Sequence, residues 1–168
     1  ASNGTFVGSN TDILTISGSW DNDGTFISSD GLIDFNSTDG FTIAAGASNF
    51  GDVLISAAGA ATVSENATSS GDWILATTSN FTVSSGRRLA IGNQFTNGAG
   101  DGATTWTGSV LHMFGSGAFD INASTTADEY ATLSAAAGTH IRMWNSSSTV
   151  YATESGGSIY SMDHEDTT

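Results

Sequence analysis

Gly51–Ala57 reads GDVLISA, and twenty residues on, Gly71–Thr77 reads GDWILAT. The spacing is not confined to that phrase. Phe41-Thr42-Ile43-Ala44, Ala61-Thr62-Val63-Ser64 and Phe81-Thr82-Val83-Ser84 stand at the same interval. One further row runs Phe35, Ile55, Leu75, Phe95, and another runs Ile33, Val53, Trp73 before failing at Asn93. Gly4-Thr5-Phe6-Val7 and Gly24-Thr25-Phe26-Ile27 keep the spacing in a different phase, so the register is clearest over residues 24–97. A unit this small cannot bury its own apolar face. Stacking like units builds a continuous core, and that is what a fixed period demands.

The unit is built of strands. Runs such as Thr25-Phe26-Ile27 and Phe81-Thr82-Val83 alternate polar and apolar residues, the pattern of a strand with one buried face. Helical periodicity is weak, and the Ala-rich stretches are broken by Gly59 and Gly138. Turn dipeptides are dense: Asn3-Gly4, Asp23-Gly24, Asp30-Gly31, Asp39-Gly40, Asn97-Gly98 and Asp101-Gly102. Pro is absent, as suits strands whose every N–H enters a ladder.

The predicted fold is therefore all-β, a parallel β-solenoid of about 20 residues per coil and roughly eight coils. Phe41, Ala61 and Phe81 stack inside, with Phe35, Ile55, Leu75, Phe95 and Trp73 in neighbouring rows of the core ladder. Thr42, Thr62 and Thr82 form an outward ladder. An antiparallel sandwich is the alternative, but it needs no fixed period. Past residue 98 the strands continue at irregular spacing: Ser109–Phe114, Ala118–Asn122, Tyr130–Ser134, Thr139–Trp144, Thr149–Ala152 and Ser158–Ser161. Residues 1–161 are expected to form a single solenoid domain, and 162–168 (MDHEDTT) a polar tail or linker stub.

Composition narrows the function. Three basic residues against 17 acidic ones give a net charge of −14, which repels phosphate backbones and anionic lipid. Nucleic-acid binding is thus disfavoured. No apolar run approaches the ~20 residues of a membrane-spanning helix, so membrane insertion is not expected. There is no Cys, hence no disulfide and no thiolate metal site. No signal peptide opens at Ala1, and the expectation is a mature or excised segment. Sixteen aromatic residues argue against a solvated, disordered linker.

No constellation stands out as catalytic, and no cofactor is implied. Arg87 and Arg88 fall in a predicted corner, Arg142 on a strand, and His112, His140 and His164 lie far apart without metal-ligand spacing. Gly115-Ser116-Gly117 is a plain turn, not a nucleophile elbow. Calcium is the one metal with candidate ligands. Asp21-Asn22-Asp23-Gly24 resembles the start of a calcium loop but lacks the bidentate Glu that would follow. Asp52 and Asp72 would stack at one corner, where a cation or turn N–H groups must offset their repulsion. The competing reading is that these carboxylates cap turns. Leu54 and Ile74 fall on the outward side of their strands, a short apolar stripe suited to self-association. Trp106, Trp144, Tyr151 and Tyr160 are candidates for stacking on a glycan, though a place in the core is the favoured reading of these aromatics. Sequons occur at Asn3, Asn36, Asn66, Asn80, Asn122 and Asn145, in a chain rich enough in Ser and Thr to generate several without selection. One Thr per coil is visible on the outward ladder, where ice-binding solenoids present two, so ladder packing is the better reading.

The stretches Gly18-Ser19-Trp20-Asp21-Asn22-Asp23-Gly24-Thr25-Phe26, Gly31-Leu32-Ile33-Asp34-Phe35-Asn36 and the closing Ile159–Thr168 resemble repetitive β-solenoid surface and fibre proteins of uncultivated environmental bacteria. That resemblance implies a secreted or cell-surface location, and it carries no catalytic residues to transfer. The expectation is a non-enzymatic structural protein: a subunit or segment of an extracellular fibre or stalk, stacking end to end with copies of itself. An adhesin or glycan-binding module is the alternative, and a carbohydrate-active β-helix enzyme the third reading.

Overall fold

The computed structural model describes residues 4–76, 80–99, 103–114, 117–122, 133–135, 139–144 and 162–163, the last four stretches as strand backbone. The chain winds into a three-sided parallel solenoid. Coil 1 contributes β1 (Thr5–Val7), β2 (Leu14–Ile16) and β3 (Trp20–Asp21). Coil 2 contributes β4 (Thr25–Ile27), β5 (Leu32–Phe35) and β6 (Phe41–Ala44), and coil 3 β7 (Asn49–Phe50), β8 (Asp52–Ile55) and β9 (Ala61–Val63). Coil 4 holds β10 (Ala67–Ser69), β11 (Trp73–Leu75) and β12 (Phe81–Val83); coil 5 holds β13 (Arg88–Ile91), β14 (Phe95–Asn97) and β15 (Thr104–Thr105). Beyond these, β16 (Val110–Met113) and β18 (Leu133–Ala135) extend the first face. β17 (Gly117–Asn122), β19 (Thr139–Trp144) and β20 (Met162–Asp163) extend the second.

Each face is one parallel sheet, ordered β1-β4-β7-β10-β13-β16-β18, β2-β5-β8-β11-β14-β17-β19-β20, and β3-β6-β9-β12-β15. We call these faces A, B and C. Five coils are thus complete on all three faces among the described residues, about twenty residues each. Tyr130 is outside the described residues, as are Thr149–Ala152 and Ser158–Ser161. Met162–Asp163, expected to open a polar tail, instead pair with Ile141 and Arg142.

The repeat sets the register. Phe41, Ala61 and Phe81 are in direct parallel register, as are Ile43, Val63 and Val83, and Thr42, Thr62 and Thr82 between them. The apolar rows point inward and are buried, while the Thr row is half-buried on the outside. On face B, Ile33, Val53 and Trp73 align, as do Phe35, Ile55 and Leu75.

One predicted ladder needs correction. Phe95 sits over Trp73, not over Leu75, and the residue over Leu75 is Asn97. The cause is local. The corner from Val83 to Leu89 is two residues longer than the one from Val63 to Ala67, so Ala67 pairs with Leu89. Everything downstream of that corner is displaced. Asn97 is fully buried, and its Oδ1 accepts the Ala99 N–H at 3.1 Å.

The core is a line, as stacking requires. Aromatic rings follow one another along it: Phe26–Phe50 at 5.9 Å, Phe50–Trp73 at 6.3 Å, Trp73–Phe81 at 6.2 Å and Phe81–Trp106 at 5.9 Å. Phe6 extends the line at one end, 5.5 Å from Phe26. All five of these pairs are tilted or edge-on, away from the face-to-face sandwich that the ring quadrupole disfavours. At the corner between faces C and A, Gly46, Gly86 and Gly108 adopt positive φ. A Cβ on Gly46 would lie 1.9 Å from the Asn22 carbonyl oxygen of the coil before, so no other residue fits.

Candidate functional site

The corner that opens face B is where the repeated Gly-Asp phrase sits. The Asp72 N–H donates to Asp52 Oδ1 at 2.8 Å. One coil on, the Gln94 N–H donates to Asp72 Oδ1 at 3.0 Å, and Asn93 Nδ2 donates to the same oxygen at 2.6 Å. Each carboxylate therefore accepts a backbone donor from the following coil. Gly71 is dictated by this arrangement: a Cβ there would fall 2.0 Å from Asp52 Oδ1 and 3.1 Å from the Asp52 nitrogen. At this pair of coils the glycine makes room for the carboxylate of the coil before; Gly51 instead lies against Ser28 and the Gly31 carbonyl. Turn N–H groups thus face these carboxylates, one of the two compensations that stacked acids require.

The other candidate metal ligands lie elsewhere. Asp21 and Asp23 are exposed, and the residue that organises their loop is Asn22. Its Oδ1 accepts the Gly24 N–H at 3.0 Å, and its Nδ2 donates to the Gly24 carbonyl at 3.2 Å and to Ser48 Oγ at 2.8 Å. This is an Asx turn tied to the next coil. Among the described residues no three His, Asp or Glu side chains gather into a group able to hold a metal ion.

Leu54 and Ile74 do point outward, and they stack on one another in register. Both are half-buried, with Asp34 before them and Thr96 after them in the same row. Asp34 is held by the Ser56 hydroxyl, which donates to its Oδ1 at 2.5 Å. On face C the outward position after Thr42, Thr62 and Thr82 is Ala44, Ser64 and Ser84 in turn, and Thr105 continues the Thr row.

Of the glycan candidates, Trp106 takes the core reading. It is buried between the rings of Phe81 and Phe95 and offers no platform for a ligand. Trp144 ends β19, and Tyr151 and Tyr160 lie outside the described residues. Among the sequons, Asn36, Asn66 and Asn80 are exposed, though Asn66 Oδ1 already accepts the Arg88 N–H at 2.9 Å. Asn3 and Asn145 lie outside the described residues, and Asn122 closes β17. Arg87 occupies its corner, but Arg88 opens β13 on face A.

His112, one of the three histidines without metal-ligand spacing, lies on β16. It pairs with Ala90 across face A and stacks on Phe114, ring centroids 6.4 Å apart. Burial, with the charge of Arg88 adding to it, lowers its pKa below the usual 6.5. Only its outward phase on the strand hinted at this, and no neighbouring carboxylate in the sequence pointed to it.

Compared with known families, curated proteins and solved structures, the chain matches no family model, no curated sequence and no solved fold.

Proposed function

We propose that the chain is a non-enzymatic structural element, an extracellular or cell-surface solenoid of about eight coils that serves as a stalk, spacer or fibre segment joined end to end. One observation carries this reading: the aromatic line from Phe6 to Trp106 crosses five coils. A core that runs from coil to coil, with backbone ladders on all three sides, supports a role as an extended element. The acidic charge keeps such rods apart laterally. Self is the proposed partner, and no cofactor is required.

Electron microscopy of the purified protein, paired with a glycan array, tests the proposal. Filaments or rods joined at their ends, with an empty array, are the expected result. Uniform single rods that bind a defined glycan would overturn it in favour of an adhesin.

A further inference from the structure

Asp23-Gly24, Asp30-Gly31 and Asp39-Gly40 are the Asp-Gly pairs among the described residues, and the fold treats them differently. An aspartate before glycine is chemically vulnerable, because glycine has no side chain to shield its nitrogen from the neighbouring carboxyl group. Whether the two react depends on what holds the glycine N–H and how much room surrounds it.

In two of the pairs the nitrogen is held. The Gly24 N–H donates to Asn22 Oδ1 at 3.0 Å, and the Gly31 N–H to the Ser28 carbonyl at 3.3 Å. Both glycines are also wedged against the coil before. An added Cβ would fall 2.6 Å from the Gly4 carbonyl oxygen at Gly24, and 2.1 Å from that of Ser9 at Gly31. Asp39-Gly40, at the corner between faces B and C, is the exception. Both residues are exposed. Among the described residues the Gly40 N–H donates no hydrogen bond and the Asp39 carboxylate accepts none. The nearest atom to a Cβ on Gly40 would be the Ala60 carbonyl oxygen at 3.7 Å, an ordinary contact. The carboxyl group and the nitrogen are therefore both unrestrained, with space to approach each other.

We propose that Asp39-Gly40 is a site of spontaneous backbone modification, where aspartate becomes isoaspartate. The Gly40 nitrogen attacks Cγ of the protonated Asp39 carboxyl group. An N–Cγ bond forms, the Cγ–OH bond breaks, and the hydroxyl leaves as water with the Gly40 proton, closing a succinimide ring. Water then adds to either ring carbonyl. Breaking the N–Cγ bond restores aspartate. Breaking the bond between Gly40 N and the Asp39 carbonyl carbon leaves the main chain running through Cβ and Cγ. No oxidant or reductant takes part. The product lengthens the backbone by a single methylene. A corner can absorb that, as the corner from Val83 to Leu89 absorbs two whole residues. The site goes beyond the structural reading above and does not depend on it.

Prolonged incubation of the full chain at neutral pH, folded and in urea, tests this. Peptide mapping with mass spectrometry locates the isoaspartate, and the readout is the ratio of folded to unfolded rate at each pair. That ratio should stay high at Asp39 and fall sharply at Asp23 and Asp30. The variant Gly40→Ala meets only the Ala60 carbonyl, so it keeps the fold, which circular dichroism checks, and should lose most of the Asp39 signal. A ratio at Asp39 no higher than at Asp23 and Asp30 overturns the proposal. So does an Asp39 signal in the folded chain that Gly40→Ala leaves unchanged.

Discussion

Gly71 has no side chain because Asp52 occupies the space one would fill. That makes the glycine a packing requirement and gives it a testable partner. Gly71→Ala should destabilise by about 1–3 kcal/mol, the usual cost of overpacking. The methyl group would push the Asp52 carboxylate off the Asp72 N–H. Asp52→Ala removes the obstacle along with the cap, so the double variant should cost less than the sum of the single ones. Urea unfolding of the four proteins measures the coupling; strict additivity would disprove the steric account. The recurring Gly-Asp was plain in the sequence, and so was the stacking of its acids. Which oxygen meets which N–H was not, because that contact runs between residues twenty apart and depends on backbone placement at the corner.

At the scale of the strand, alternation and period together specified most of what the structure contains. Rows Phe41–Ala61–Phe81 and Ile33–Val53–Trp73 follow directly from a shared interval. What escaped was the corner from Val83 to Leu89, whose two added residues moved Phe95 from the Leu75 row to the Trp73 row. Corners face solvent and absorb insertions without disturbing the core, so apolar periodicity carries no record of their length. Trp106 stands outside any strand pattern, and of its two readings, core and glycan platform, the structure bears out the core one that the sequence favoured. His112 on β16 shows what an outward strand position adds. Its lowered pKa means the unfolded chain takes up the proton first as pH falls, so stability drops below about pH 6.5 and levels off once the folded form is also protonated. His112→Gln should flatten that part of the curve. Melting midpoints between pH 7.5 and 5.5 would show it, and parallel curves for the two proteins would refute the assignment.

For the whole molecule, charge sets the response to salt. A net charge of −14 opposes folding by self-repulsion, so added salt should raise the melting midpoint. Because Asp52 and Asp72 already accept backbone donors, sodium and calcium chloride at equal ionic strength should raise it equally. A larger rise in calcium, reversed by chelator, would reveal a cation at the corner or at Asp21–Asp23.

The shared register also bears on inheritance. Where Ile33, Val53 and Trp73, or Phe41, Ala61 and Phe81, lie over one another, each coil presents the next with the same kind of surface it received. A tandem duplication of one repeat would insert a coil whose upper and lower neighbours already match it, and an in-frame loss would rejoin two that do. Rod length in such a chain is therefore free to drift by whole coils without any residue having to change.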